Sequence, residues 1–219
     1  VNCTATTTVV VNPLPTTTAP ANVSVCAGTS IPAQSFTSTP TGATFAWTNS
    51  NTAIGLAASG TTTVPTFTGT NATSSPITGT ITVTPTLAGC TGTPVTYTIT
   101  INPQPTSTFT QSGNQCLTGN SFNFTNTGTG GASQNWTFTG GTPSSSTAVS
   151  PTGITYAAPG TYTITHVVTA TGGCTSTTTS TVTIFAAPTA ITATPGPATC
   201  GASNGTITIT GATGGSAPY

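Results

Sequence analysis

The side chains with the greatest capacity for chemistry in this sequence are six cysteines and one histidine. The cysteines lie at positions 3, 26, 90, 116, 174 and 200, and the histidine is His166. Thiols can form disulfides or bind a metal, and a histidine can ligate a metal or transfer a proton. All of these roles except the disulfide need further polar groups of the right kind, so the rest of the composition decides among them.

The chain has no Lys, Arg, Asp or Glu in 219 residues. Nucleic-acid binding depends on basic side chains that neutralise phosphates, and calcium and magnesium sites are built mainly from carboxylates. Paired-carboxylate hydrolysis and a Ser-His-Asp triad both lack their acid, and a histidine with no orienting partner is a poor general base. The sequence predicts a protein that is not an enzyme and has no cofactor or metal. Either the absence of charged residues is selected, or this sequence is an approximate reading of the real protein.

The cysteine spacing predicts tandem domains. Short gaps of 23–26 residues alternate with long gaps of 58–64, as expected when each domain has an opening cysteine near its start and a closing cysteine near its end. The closing cysteines lie in similar turns, AGCTGTP and GGCTSTT, each followed by a strand and a proline-containing linker. We therefore predict the pairs Cys26–Cys90 and Cys116–Cys174, with Cys3 and Cys200 in neighbouring domains. The alternatives are a Cys3–Cys200 pair or free thiols. This number of cysteines indicates an oxidising, extracellular compartment.

The repeat divides the chain into four parts. Residues 1–14 are predicted to be the last strand of one domain, 15–103 and 104–187 to be complete domains, and 188–219 to open a further domain. No apolar run is long enough to span a membrane, and no signal peptide is recognisable at the start. We expect a mature product or an internal piece of a longer protein.

Apolar residues alternate with threonine along most of the chain, which predicts half-buried strands. Tyr162 and His166 fall on the apolar face of one such strand. We expect His166 to be a neutral core residue bonded to a nearby hydroxyl or carbonyl; a metal ligand or a misread leucine are the alternatives. One tryptophan, Trp47 or Trp136, lies between the cysteines of each domain, and a Cys…Trp…Cys order is typical of immunoglobulin-like sandwiches. The predicted fold is all-β, with tandem immunoglobulin-like β-sandwich domains and these four residues in the cores.

Several motifs resemble those of a known family. Residues 105–187 resemble a PKD domain: Trp136, Phe138 and Gly141 stand in its Trp turn, and its Y-x-x-P-G-x-Y motif begins at Tyr156. Residues 15–103 resemble looser PKD-like domains, and 188–219 resemble the opening of the SprB-type repeats of gliding-motility adhesins. The family usually has acidic turns where this chain has Thr139-Gly140 and Thr171-Gly172-Gly173, so calcium-stabilised linkers are not expected.

The resemblance and the composition together predict a structural role on the cell surface. We expect a segment of a large extracellular repeat protein of gliding bacteria, secreted by the type IX route, that acts as a spacer and assembles into fibres. Its partners would be neighbouring domains of the same chain. The alternative is an adhesin module that binds a glycan or another surface through threonine-rich strand faces. A third hypothesis, an accessory domain beside a hydrolase, stays open.

Overall fold

The fold is described by a computed structural model for residues 5, 7 and 11–215. These residues divide into two compact units. The first contains the described residues as far as Gln104 together with Ala170–Cys174, and the second contains Pro105–Thr169 and the described residues from Thr175 onward. The chain thus leaves the first unit, returns to it for five residues and re-enters the second.

The first unit is a sandwich of β-strands. Its main sheet has the order β2-β10-β8-β5-β6, with β9 also paired to β8, and two short pairs, β1-β4 and β3-β7, lie in the opposing layer. A 3₁₀ turn, Thr52–Ile54, follows β5. The strands are β1 (Thr16–Thr17), β2 (Val23–Cys26), β3 (Ser30–Ile31), β4 (Ser38–Thr39), β5 (Thr44–Asn49), β6 (Ser59–Thr61), β7 (Phe67–Thr68), β8 (Ile77–Leu87), β9 (Cys90–Thr91) and β10 (Val95–Asn102).

The second unit repeats this plan. Its main sheet has the order β12-β19-β18-β14-β16, with the pairs β11-β13 and β15-β17 in the opposing layer, and a separate hairpin, β20-β21, follows. The strands are β11 (Phe109–Gln111), β12 (Gln115–Cys116), β13 (Phe124–Asn126), β14 (Ser133–Phe138), β15 (Gly141–Thr142), β16 (Ser145–Ser146), β17 (Thr155–Tyr156), β18 (Gly160–Thr169), β19 (Thr175–Phe185), β20 (Pro188–Gly196) and β21 (Thr206–Gly214).

Period-two alternation produces both cores. Ile81 and Val83 of β8 are fully buried, and so are Ile164 and Val168 of β18. The threonines that alternate with these residues point outward. The main sheets contribute one face of each core and the short pairs contribute the other, for example through Ile31 of β3. Two separate hydrophobic clusters result, one for each unit, and no cysteine belongs to either cluster within the described part of the chain. The all-β, tandem-sandwich fold that the sequence predicts is confirmed.

The second strand of each sandwich pairs in parallel with the last strand of its main sheet. β2 runs parallel to β10 and β12 runs parallel to β19, whereas the other pairings in both main sheets are antiparallel. In these parallel pairs Cys26 lies opposite Asn102 and Cys116 lies opposite Phe185, the last residues of their sheets' final strands. This register determines which cysteines can meet.

The predicted outer segments are described only in part. Residues 11–14 have no strand, and most of the predicted strand in 1–14 lies outside the described residues. Residues 188–214 form the β20-β21 hairpin, on which three isoleucines are largely exposed, namely Ile191, Ile207 and Ile209. The division into 1–14, 15–103, 104–187 and 188–219 stays a prediction.

Candidate functional site

The described residues contain one disulfide, between Cys26 and Cys174. Cys26 is the last residue of β2, and Cys174 lies in the turn between β18 and β19. Their Cα atoms are 5.8 Å apart, and the residues are separated by 148 positions in the sequence. Because residues 170–174 belong to the first unit, the bond fixes this turn there covalently.

The predicted pairs Cys26–Cys90 and Cys116–Cys174 are not formed, and this is a correction. Cys26 lies beside Asn102, next to the Ile77 end of β8, whereas Cys90 opposes Leu87 at the other end of that strand. β8 has 11 residues, and the ten steps between its ends put the two cysteines about 33 Å apart at ~3.3 Å per residue. A disulfide needs Cα atoms within about 7 Å of each other.

The same reasoning excludes the second predicted pair. Cys116 opposes Phe185, the last residue of β19, while Cys174 immediately precedes Thr175, the first. The strand between them spans about 36 Å at ~3.3 Å per residue. Opening and closing cysteines of one sandwich therefore lie at opposite ends of it, and spacing along the sequence carries no information on that.

The turn that presents Cys174 fits closely against β10. Gly172 and Gly173 both have left-handed backbone conformations, with φ of 98° and 84°. A Cβ atom added to Gly172 would lie 2.5 Å from Cγ of Asn102. Asn102 is itself buried, and its amide nitrogen donates to the Ser24 hydroxyl at 3.1 Å. Glycine is therefore required at position 172 on two grounds, conformation and space.

His166 lies in the core of the second unit, fully buried. Its ring stacks on Trp136 with centroids 3.7 Å apart and planes 9° apart. Nε2 is 2.6 Å from Oε1 of Gln134. The Ser107 hydroxyl donates to the His166 carbonyl oxygen at 2.9 Å, and its Oγ lies 3.2 Å from Nδ1. A neutral imidazole with its proton on Nε2 donates to Gln134, and burial lowers the pKa of His166.

The two tryptophans occupy equivalent places. Trp47 of β5 donates its indole N–H to the Thr63 carbonyl, and Trp136 of β14 donates to the Ala148 carbonyl, both at 3.0 Å. Both side chains are buried, and neither core cluster in which they pack contains the disulfide. Each indole is thus held by the core and by one backbone bond.

Tyr162 was predicted as a core residue, and the structure places it at the margin. The side chain is only partly buried; it stacks on buried Tyr156 with centroids 4.2 Å apart. Its hydroxyl donates to the Ala158 carbonyl at 2.8 Å, four residues back, which fixes the corner before β18. Tyr156, from the other end of the same motif, is the tyrosine that fills the core.

Threonines form ordered rows on the outer face of each main sheet. In β18 and β19 three cross-strand pairs stand side by side: Thr161 with Thr183, Thr163 with Thr181, and Thr165 with Thr179. In β8 and β10 the corresponding pairs are Thr78 with Thr100, Thr80 with Thr98, and Thr82 with Thr96. Neighbouring strands lie about 4.8 Å apart, and alternate residues about 6.7 Å apart, so each row pair makes a regular array of hydroxyl and methyl groups.

Two buried asparagines that no sequence pattern distinguishes hold loops in place. The Asn49 amide nitrogen donates to the carbonyls of Asn51 and Leu56, each at 3.0 Å. The Asn120 amide nitrogen donates to the Tyr156 carbonyl at 2.9 Å, and the Asn120 Oδ1 accepts from the Tyr156 N–H at 2.7 Å. In a chain so rich in Asn and Thr, only the fold distinguishes these from the exposed asparagines.

The described residues lack two features that would bear on function. No group of three or more His and Cys side chains in that part of the chain is placed to hold a metal ion. None of its helices has the length and apolar character needed to cross a membrane.

Comparison with known proteins agrees with the sandwich fold. Residues 23–105 match the sequence profile of a family described as the PKD-like domain. The match covers part of the chain and falls where the sequence predicted the looser form of that family. No curated protein sequence matches the chain.

Solved structures similar to this chain contain immunoglobulin or cadherin domains. A complex of Dpr11 IG1 with DIP-gamma IG+IG2 has 10% sequence identity and a TM-score of 0.38, covering 78% of this chain and 98% of that one. A protocadherin gammaB7 EC3-6 cis-dimer has 14% identity and a TM-score of 0.36, covering 84% and 50%. Mouse cadherin-23 EC22-24 has 12% identity and a TM-score of 0.30, covering 80% and 65%. This chain thus spans half of the protocadherin chain.

Proposed function

We propose that this chain is a structural segment of a large extracellular repeat protein, in which it acts as a spacer and as an assembly module. The SprB-type motif of 188–219 extends the proposal to surface adhesins of gliding bacteria. Its partners are further domains of the same kind, in its own chain and in neighbouring copies. We assign it no catalytic role.

The observation that carries the proposal is the Cys26–Cys174 bond. It joins the opening cysteine of one sandwich to the closing cysteine of the next and encloses most of both domains in one covalent loop. When such a chain is pulled from its two ends, the force passes through the disulfide and not through the residues between the two cysteines. A spacer that keeps its length under load needs such a limit on extension.

The energetic effect of this loop is also large. In the chain-entropy treatment, closing a loop of this length stabilises the folded state by about 5 kcal/mol. Single domains are stable by only about 5–15 kcal/mol. The neutral composition contributes in a different way, because uncharged copies do not repel one another and can pack closely.

The test is single-molecule force extension of the full chain, held by handles at its two ends. Without reductant, we expect the gain in contour length on unfolding to come only from residues outside the loop. With reductant, the 148-residue separation is released, and the contour length increases by about 52 nm at ~3.5 Å per residue. The double variant Cys26→Ser/Cys174→Ser should show the long extension without reductant.

Cys90→Ser/Cys116→Ser is the matched control, because it also removes two thiols and leaves the loop closed. It should behave as the unmodified chain does. Full extension of the unmodified chain without reductant would contradict the spacer proposal.

The threonine rows favour a second candidate function, an adhesin module that binds a glycan or an ordered surface. Regular hydroxyl rows on one face of a sheet can match a repeating ligand, whereas threonines scattered over both layers cannot. If this function holds, the chain is retained on a glycan array, and Thr163→Val/Thr181→Val, which removes two central hydroxyls but keeps the side-chain shape, weakens retention. Loss of retention in that variant but not in Thr80→Val/Thr98→Val would assign the site to the second unit.

A further inference from the structure

Three cysteines among the described residues are free: Cys90, Cys116 and Cys200. Cys116 and Cys200 are exposed, and Cys90 is partly exposed. Two of the three stand in the same structural positions as the two cysteines that form the disulfide. That equivalence allows their role to be inferred.

Cys116 is the counterpart of Cys26. Each is the last residue of a short strand, β12 or β2, that pairs in parallel with the final strand of its main sheet. Each lies opposite the last residue of that final strand, Phe185 for Cys116 and Asn102 for Cys26. Cys116 is therefore an opening cysteine presented as Cys26 is.

Cys90 is the counterpart of Cys174. Each follows two consecutive residues in the left-handed conformation, Ala88 and Gly89 with φ of 49° and 81°, and Gly172 and Gly173 with φ of 98° and 84°. Each lies in the connection between the two longest strands of its main sheet, Cys90 as the first residue of β9 and Cys174 directly before β19. An alanine at positive φ is uncommon, so the turn at 88–90 is held in a shape that the sequence alone would not favour.

The disulfide shows how these two kinds of cysteine combine. The opening cysteine Cys26 bonds to Cys174, the closing cysteine of the other sandwich, and it cannot reach Cys90 of its own sandwich because those two lie at opposite ends of the domain. Among the described residues, the two sandwiches thus present one free opening cysteine, Cys116, and one free closing cysteine, Cys90. The two are complementary halves of the bond that Cys26 and Cys174 already make.

We propose that Cys116 of one copy of this chain forms a disulfide with Cys90 of the next copy, which links copies head to tail. The inference rests on the proposed function in assembly, and it names the residues that make the assembly covalent. A head-to-tail contact of two different surfaces does not close on itself after one step, so it extends into a filament.

The reaction is an oxidation of two thiols by a small-molecule disulfide such as oxidised glutathione. A thiolate of one copy attacks the glutathione disulfide, forms a mixed disulfide and releases one glutathione. The thiolate of the other copy then attacks the protein sulfur of that mixed disulfide and releases the second glutathione. One protein disulfide forms, two electrons pass to oxidised glutathione, and the two thiol protons end on two molecules of glutathione or in the solvent.

The experiment uses the full chain with Cys3→Ser and Cys200→Ser, so that only the two thiols of interest and the internal disulfide remain. On incubation with oxidised glutathione, we expect a ladder of oligomers on a non-reducing gel that reductant collapses. Chymotryptic digestion should release a linked pair of peptides, residues 88–97 with residues 110–117. A monomer that keeps both thiols, or that links them internally, would overturn the proposal.

The single variants Cys90→Ser and Cys116→Ser, made in the same background, test the pairing rule. Each alone should give no ladder and little dimer. An equal mixture, with one variant labelled with ¹⁵N so that the masses differ, should give mainly the mixed dimer. A 1:2:1 distribution of the three dimers would show unselective thiol pairing and would refute the head-to-tail rule. Force extension of the monomer does not involve these thiols, so the proposed function can succeed or fail independently.

Discussion

His166 is the side chain in the sequence whose ordinary pKa lies between about pH 4 and pH 7, because the chain has no Asp, Glu, Lys or Arg. It is fully buried, and burial lowers its pKa in the folded state below the ordinary value of 6.5. Between these two values the unfolded chain binds a proton that the folded chain does not. The free energy of unfolding is therefore complete above pH 6.5 and decreases as the pH falls towards the folded-state pKa.

The slope of this decrease is set by the number of protons that the unfolded chain binds and the folded chain does not. One proton changes the free energy of unfolding by at most about 1.4 kcal/mol per pH unit. We expect a slope approaching this limit below pH 6.5 and a plateau below the folded-state pKa. Since no other side chain titrates there, the height of the step measures the pKa shift of His166 directly.

The assay is urea denaturation followed by tryptophan fluorescence at a series of pH values, with His166→Leu as the control. The variant has the same chain termini, so the difference between the two profiles belongs to His166 alone. We expect the variant to show no step. A wild-type stability that rises as the pH falls would refute the reasoning. It would mean that the Trp136 face and the Ser107 and Gln134 oxygens stabilise the imidazolium by more than burial destabilises it.

Three further predictions concern buried side chains, and the second has an exposed glycine as its control. Trp136→Phe removes the indole N–H that donates to a backbone carbonyl and part of a buried side chain, so the free energy of unfolding should fall by about 2–4 kcal/mol in urea denaturation. Gly60→Ala should destabilise the first unit by more than about 1 kcal/mol, because its Cβ would lie 2.7 Å from Cε2 of Trp47. Gly113→Ala, where nothing lies within 4 Å, should have a thermal midpoint within about 1 °C of wild type. Burial raises the pKa of Tyr97 to about 12, so its ultraviolet titration should lag behind that of an exposed tyrosine.

Equal destabilisation by the two glycine substitutions would contradict the packing argument at position 60. A Tyr97 hydroxyl that ionises near pH 10 in the folded protein would show that water reaches it. Wild-type stability in Trp136→Phe would show that neither the indole hydrogen bond nor the lost volume matters to the core.

The strand pattern of this protein was predictable from the sequence because the side-chain period of a strand is fixed. Ile81, Val83, Ile164 and Val168 alternate with threonine, and the burial of these four follows that alternation. His166 could be placed in the core by register alone. Its neighbours Ser107 and Gln134 could not, since Ser107 precedes β11 and Gln134 lies in β14, and only the fold brings these segments to His166.

The disulfide pairing was not predictable by spacing. Two cysteines separated by about 60 residues in each domain suggest a local loop, as in immunoglobulin domains, but the parallel pairing of β2 with β10 moves Cys26 to the end of the sheet away from Cys90. Parallel pairing of a short early strand with the last strand of its sheet is not marked by any residue pattern. The burial of Tyr156 in place of Tyr162 was missed for a related reason, since both belong to one motif and only the corner geometry separates them.

The most direct test of this account is disulfide mapping of the purified monomer without reduction. Trypsin cannot be used, because the chain has no Lys or Arg, but chymotrypsin separates the relevant cysteines. After free thiols are alkylated, the account predicts a linked pair of peptides that contain Cys26 and Cys174, with Cys90 and Cys116 alkylated. Peptides that link Cys26 to Cys90 and Cys116 to Cys174 would contradict it, and both the force-limited spacer and the head-to-tail link would then be wrong.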